Sequence, residues 1–105
     1  MEVGLKLNLG CGRDIRPEPW INVDQFNGEG VDIVMNLDSP EGIQFDLLDN
    51  SVEEIYASHV LEHLVYWHKI LPELYRVLVP GGRLEIRVPY GCCPLSFHVR
   101  TFYKE

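Results

Sequence analysis

The sequence predicts an α/β fold in which a mostly parallel sheet carries its helices chiefly on one face. Three observations point there. Five short segments alternate in polarity as strands do, one stretch has helical periodicity, and the first strand runs directly into a glycine turn while the second ends on an acid. A chain of 105 residues suits a single compact domain over 1–105. Hydrophobic residues at 46% and charged residues at 24% are globular proportions, too interrupted for a membrane span. Sixteen acidic against nine basic side chains give a formal charge of −7, which repels a phosphate backbone and argues against nucleic acid as a partner. The opening MEVGLKLNLG has no charged-then-apolar signal pattern, and the cysteines, Cys11 and the adjacent Cys92 and Cys93, make a poor disulfide framework. Both features lead to the expectation of a cytoplasmic protein.

The first strand, Leu5 to Leu9, alternates leucine with Lys6 and Asn8 and stops at Gly10-Cys11-Gly12. Trp20 to Asp24 is the second, ending on its acid, and Asp32 to Leu37 the third, closed by Asp38-Ser39-Pro40. The stretch from Ser39 to Asn50 is turn-rich and irregular. Glu54 to Ser58 reads as the fourth strand. From His59 to Leu78 apolar residues recur at helical spacing, and Pro72 divides them into one helix over about His59 to Tyr66 and another opening near Leu71. Pro80, Gly81 and Gly82 are expected to stop the second helix and turn the chain into the last strand, Arg83 to Val88.

Alternation also orients the strands. Leu5, Leu7, Leu9, Val23, Ile55, Leu84 and Ile86 share an apolar face, while Lys6, Asn8, Asn22, Glu54, Arg83, Glu85 and Arg87 make the other face polar, and it is expected to be largely wet. Parallel sheets covered on both faces have near-continuous apolar strands, so a second helical layer is not expected. The loops before the second and third strands are short for parallel crossovers, which leaves an antiparallel meander as an alternative.

The junction LKLNLGCG is the sharpest chemical signal, because glycines there let backbone approach a ligand closely. Asp24, ending the neighbouring strand, offers a carboxylate to vicinal ribose hydroxyls. In this order the pieces resemble a class I S-adenosylmethionine-dependent methyltransferase. LNLGCG is similar to that family's glycine-rich first motif, INVD to its acidic second motif and NLD to its adenine-contacting segment. IYASHVLEHL and ELYRVLVPGGRLEIRVP are similar to its fourth strand with the following helix, and to the next helix, turn and fifth strand. The resemblance covers Leu5 to Pro89.

It implies a Rossmann-like sheet in the order 3-2-1-4-5, with S-adenosylmethionine as cofactor and S-adenosylhomocysteine as product. By the same resemblance Gly10, Cys11 and Gly12 line the methionine moiety, Asp24 holds the ribose, Gln25 and Leu37 flank the adenine, and Ser58 and His59 close the pocket. Asp38 either accepts the adenine amino group or simply forms the turn before Ser39-Pro40. His59, and His98 in the tail, are the candidate general bases. The expected activity is methyl transfer to a small-molecule acceptor. The alternative is a cofactor-binding remnant without turnover, serving a regulatory or assembly role.

His59-x-x-Glu62-His63 also matches the inverted zincin pattern, but no good third ligand follows, so no metal site is expected. Tyr66, Trp67 and Tyr75 read as packing residues, and Cys92-Cys93 as thiols without a basic partner. The family pattern continues past the fifth strand, whereas this sequence stops at Glu105, which suits either a minimal two-layer domain or a truncated one. An exposed fifth-strand edge would then allow a homodimer to complete the sheet.

Overall fold

A computed structural model of the chain describes residues 4–88 and 99–105. Its elements are β1 (Leu5–Leu9), β2 (Trp20–Asp24), β3 (Ile33–Val34), β4 (Val52–Ser58), α1 (Leu71–Val77), β5 (Leu78–Arg87) and β6 (Val99–Tyr103), with single 3-10 turns at Leu61–His63 and Trp67–Lys69. One sheet in the order β3-β2-β1-β4-β5-β6 contains all the strands. The first five are parallel and β6 is antiparallel to β5. This is the Rossmann-like order expected, and the parallel pairing of Leu7 with Ile21 rules out the meander. No helix among the described residues is long and apolar enough to cross a membrane.

Leu7, Leu9, Val23, Ile55, Ala57 and Ile86, from four strands, form one buried cluster with Leu74 and Val77 of α1, Leu61, Ile70 and Phe45. Each fully buried aliphatic side chain contributes about 2 kcal/mol. α1 suits its sequence, with Pro72 near the start, where a missing N–H costs nothing, Glu73 in the first turn and Arg76 in the last. It stops at Val77 because Leu78 is already extended, at φ −68° and ψ 138°. The expected stop at Pro80-Gly81-Gly82 therefore falls inside β5, where the register against β4 shifts between Val52 and Glu54.

The polar sheet face is not wet at its centre. Asn8 is 2% exposed and Asn22 3%, because the crossover at 10–19, too short for a helix, lies over them. The Asn8 amide donates to the Asp14 carbonyl at 2.6 Å and to Asn22 Oδ1 at 3.0 Å, while Asn22 accepts from Arg16 N at 3.0 Å and donates to the Arg16 carbonyl at 2.9 Å. The Arg16 guanidinium packs 4.7 Å from the Trp20 ring centre and 4.1 Å from that of Tyr56. A loop pinned by asparagines replaces the second layer.

Two further expectations change. The helix expected over His59 to Tyr66 is absent; the chain there makes only the Leu61–His63 turn. The β5 edge, expected to be open for a second copy, is taken by β6, in register from Arg83 with Tyr103 to Arg87 with Val99.

Candidate functional site

The parallel strands end together, and their C-terminal ends surround a cavity of about 440 Å³. Gly10 opens it, with φ +63°; a Cβ there would collide with the Val60 side chain, so only glycine lets the end of β1 pass beneath Val60. Beyond it Cys11 N donates to the Val23 carbonyl at 3.0 Å, and Gly12, at φ +52°, turns its N–H to Asp24 Oδ2 at 2.8 Å.

Asp24 is held from two sides. Besides Gly12, Gln25 N at 2.6 Å and Phe26 N at 3.4 Å donate to its Oδ1. A carboxylate offers about four lone-pair sites, so acceptor capacity remains for hydroxyl groups at the cavity rim. The second wall is Met35, Asn36, Leu37 and Asp38, anchored where Met35 N donates to the Asp24 carbonyl at 2.9 Å. The third wall follows β4. His59 adopts φ +57°, donating its N–H to the Arg87 carbonyl at 2.7 Å, and this corner sends Val60, His63 and Leu64 across the cavity. Asp38 joins the two walls, accepting from Val65 N at 3.1 Å and Tyr66 N at 2.8 Å.

Of the residues singled out in the sequence, Gly10, Asp24, Gln25, Leu37, Asp38 and His59 meet at this cavity. Cys11, Gly12 and Ser58 do not line it. Cys11 is buried beneath the turn, where burial, followed by the nearby Asp24 charge, pushes its thiol up and keeps it protonated at neutral pH. Gly12 borders a shallower hollow with Arg13 and Ile15, and Ser58 stays in β4, paired with Arg87. His98 lies outside the described residues, as do Cys92 and Cys93. Asp38 does more than form a local turn, since its partners stand 27 and 28 residues further along the chain.

Met35, Asn36, Val60, His63 and Leu64 also line the cavity and were not foreseen. Asn36 adjoins the NLD motif and His63 belongs to the zincin-like pattern, so both carried a signal, whereas Val60 becomes visible only through its contact with Gly10. That pattern needs two histidines one helical turn apart, but His59 sits at a left-handed corner outside the 3-10 turn. No group of three or more His, Cys, Asp or Glu side chains suited to a metal ion occurs among the described residues. A second groove, about 510 Å³ and mostly apolar, runs between Trp67, Leu71 and Tyr75 on one side and Leu84 and Phe102 on the other; it holds none of the residues expected at the cofactor site, and Tyr75, expected as a packing residue, is exposed there.

The cavity's size lies in the range of small-molecule and cofactor sites, and it combines a glycine at the end of β1, a strand-end carboxylate and apolar Met35 and Leu37. These features fit a nucleoside-bearing cofactor.

A family model described as a methyltransferase domain matches residues 7–86. Methyltransferase GfsG of Streptomyces halstedii is 27% identical, in a match covering 76% of this chain and 36% of that protein. Among solved structures, an S-adenosylmethionine dependent methyltransferase from Mesorhizobium loti aligns with a TM-score of 0.56 at 18% identity, over 84% of this chain and 48% of that one. The complex between the Haloferax volcanii Trm112 methyltransferase activator and a methyltransferase aligns with a TM-score of 0.58 at 19% identity, over 81% of this chain and 45% of the matched chain. At such identities the two structures bear on the fold alone. This chain thus spans about a third of the curated relative and under half of either solved chain.

Proposed function

The chain belongs to the methyltransferase domain family, with the class I S-adenosylmethionine-dependent fold, and from that premise we propose that its strand-end cavity binds S-adenosylmethionine for methyl transfer to a small-molecule acceptor. The observation that carries this reading is Asp24, held by three backbone N–H groups at the cavity rim opposite the glycine end of β1. In this reading the single domain over 1–105 provides the cofactor site.

Asp24 holds the ribose hydroxyls, Gln25 and Leu37 flank the adenine, and Gly10 gives the methionine end close backbone approach. Cys11 and Gly12 serve through the backbone of the turn, Gly12 by fixing the Asp24 carboxylate. Ser58 supports the corner from which His59 reaches the cavity. When bound, S-adenosylmethionine supplies a methyl group already activated on a sulfonium. The protein's task is then alignment of the acceptor and exclusion of competing water. Where the acceptor must lose a proton, His59 is the base placed at the cavity, with His98 as the candidate from the tail.

Titration calorimetry with S-adenosylhomocysteine tests this directly. Binding at micromolar affinity or tighter is expected, weakened tenfold or more by Asp24→Ala, about 1.4 kcal/mol. A folded protein that does not bind it, or an Asp24→Ala variant that binds unchanged, overturns the assignment.

A second reading takes its cue from one neighbour, which was solved as a complex with a methyltransferase activator. In that reading this chain binds the cofactor without turnover and serves a regulatory or assembly role. Transfer of labelled methyl to any acceptor excludes this second reading.

A further inference from the structure

The third wall of the cavity has a weakness that its sequence does not repair. His63 and Leu64 face the cavity, yet the 3-10 turn that carries them ends at His63, and Leu64 is already extended at φ −103° and ψ 129°. In a continuing helix the N–H groups of Val65 and Tyr66 would donate one turn back. Here both go to one carboxylate, Asp38, at 3.1 and 2.8 Å. Val65 is 72% exposed, whereas Leu64 packs against the core, so the Val65 side chain adds little to holding the segment and its N–H is what ties it to the facing wall. Hydrogen bonds to an ionised acceptor are roughly twice as strong as neutral ones.

We propose that Asp38 is a positioning residue for the cofactor cavity: by taking both N–H groups it clamps the 63–66 segment to the 35–38 wall and holds His63 and Leu64 against the bound nucleoside. The proposal rests on the cofactor reading above and deepens it. It differs from direct recognition of the adenine amino group, because Asp38 acts here through the segment it holds. Affinity therefore depends on the clamp whichever group the base carries at its 6-position.

The test titrates S-adenosylhomocysteine, and its 6-oxo analogue S-inosylhomocysteine, into four variants. Asp38→Ala is expected to raise the dissociation constant of both ligands by tenfold or more, and by the same factor. Val65→Pro removes one clamped N–H while keeping Asp38, and Leu64 already has the extended conformation that a residue before proline adopts. It is expected to weaken both ligands several-fold. Adding it to Asp38→Ala costs nothing further, since the two substitutions break one interaction. Val65→Ala keeps the N–H and binds as the unaltered protein does. Amide exchange at Val65 and Tyr66 should quicken in Asp38→Ala while β1 amides do not change, which shows that the variant has folded.

A loss confined to the 6-amino ligand overturns the proposal in favour of direct contact. Full affinity in Val65→Pro, or exchange at Val65 and Tyr66 that ignores Asp38, overturns it outright. Failure of the unaltered protein to bind either ligand overturns the cofactor reading instead, and is seen before any substitution is made.

Discussion

Two glycines a single residue apart differ in what they protect. Gly10 and Gly12 both have positive φ, but a Cβ on Gly10 would run into Val60, whereas nothing stands within 4 Å of one on Gly12. Gly12→Ala should cost only backbone strain, about 1 kcal/mol, while Gly10→Ala adds a steric conflict and should cost about 2 kcal/mol or more. Thermal unfolding would separate them, since 1 kcal/mol shifts the midpoint of a domain this small by roughly 4–8 °C. Gly10→Ala should also reduce S-adenosylhomocysteine binding, because the side chain it displaces, Val60, lines the cavity. Cys11, between them, is buried, and burial pushes its thiol up, so it stays protonated at neutral pH.

Among the elements, the first five strands were legible because burial on one sheet face forces alternation, and alternation survives in sequence, whereas their order came from the family resemblance. Asp24 was legible as a strand-end acid, since strand ends are where parallel sheets place ligands, whereas Gln25, Leu37 and Asp38 were reached through the family resemblance; all four line the cavity. The missing helix over His59 to Tyr66 was not legible. Its apolar spacing is helical, yet two donors such a helix needs, the N–H groups of Val65 and Tyr66, are captured by Asp38, and His59 at its start takes a left-handed conformation. Sequence periodicity records which side chains are buried and says nothing of a competing acceptor 27 residues away. β6 was equally hidden, because Val99–Tyr103 shows no clear alternation and has exposed or half-exposed positions throughout. It is tied down by Lys104, whose ammonium donates to Asn50 Oδ1 at 2.7 Å and to the Tyr75 and Leu78 carbonyls, each at 2.8 Å, at the end of α1. Lys104→Ala should therefore speed amide exchange along β6 while leaving β1 and β4 unchanged.

For the molecule as a whole, two half-buried or buried glutamates link stability to pH. Glu73 is lowered from its ordinary value because the Arg76 guanidinium bonds it, at 2.6 and 2.8 Å, and Phe45 N donates to it as well. Burial pushes Glu54 up, but its bonds with Arg83 and Lys6 outweigh that and leave it lowered. In both cases the folded state binds fewer protons than the unfolded chain, so their stabilisation is complete above the ordinary glutamate value of about 4.3 and is lost as pH falls through the lower folded values. The urea midpoint should hold between pH 7 and about 5 and drop below about pH 4, and Glu73→Gln should flatten that drop. The sheet order also has a consequence in time. β1 finds β2 nearby, but its other neighbour is β4, and Leu7 must pair with Ile55 across nearly half the chain. That closure costs entropy before any contact rewards it, so assembly of the centre is the slow event of folding. A chain emerging from the ribosome carries its glycine turn and its acid long before β4 arrives to complete the sheet around them. Since the cavity walls come from both sides of that late closure, ligand capture in a refolding experiment is expected to mark the moment when β4 and the segment after it have docked.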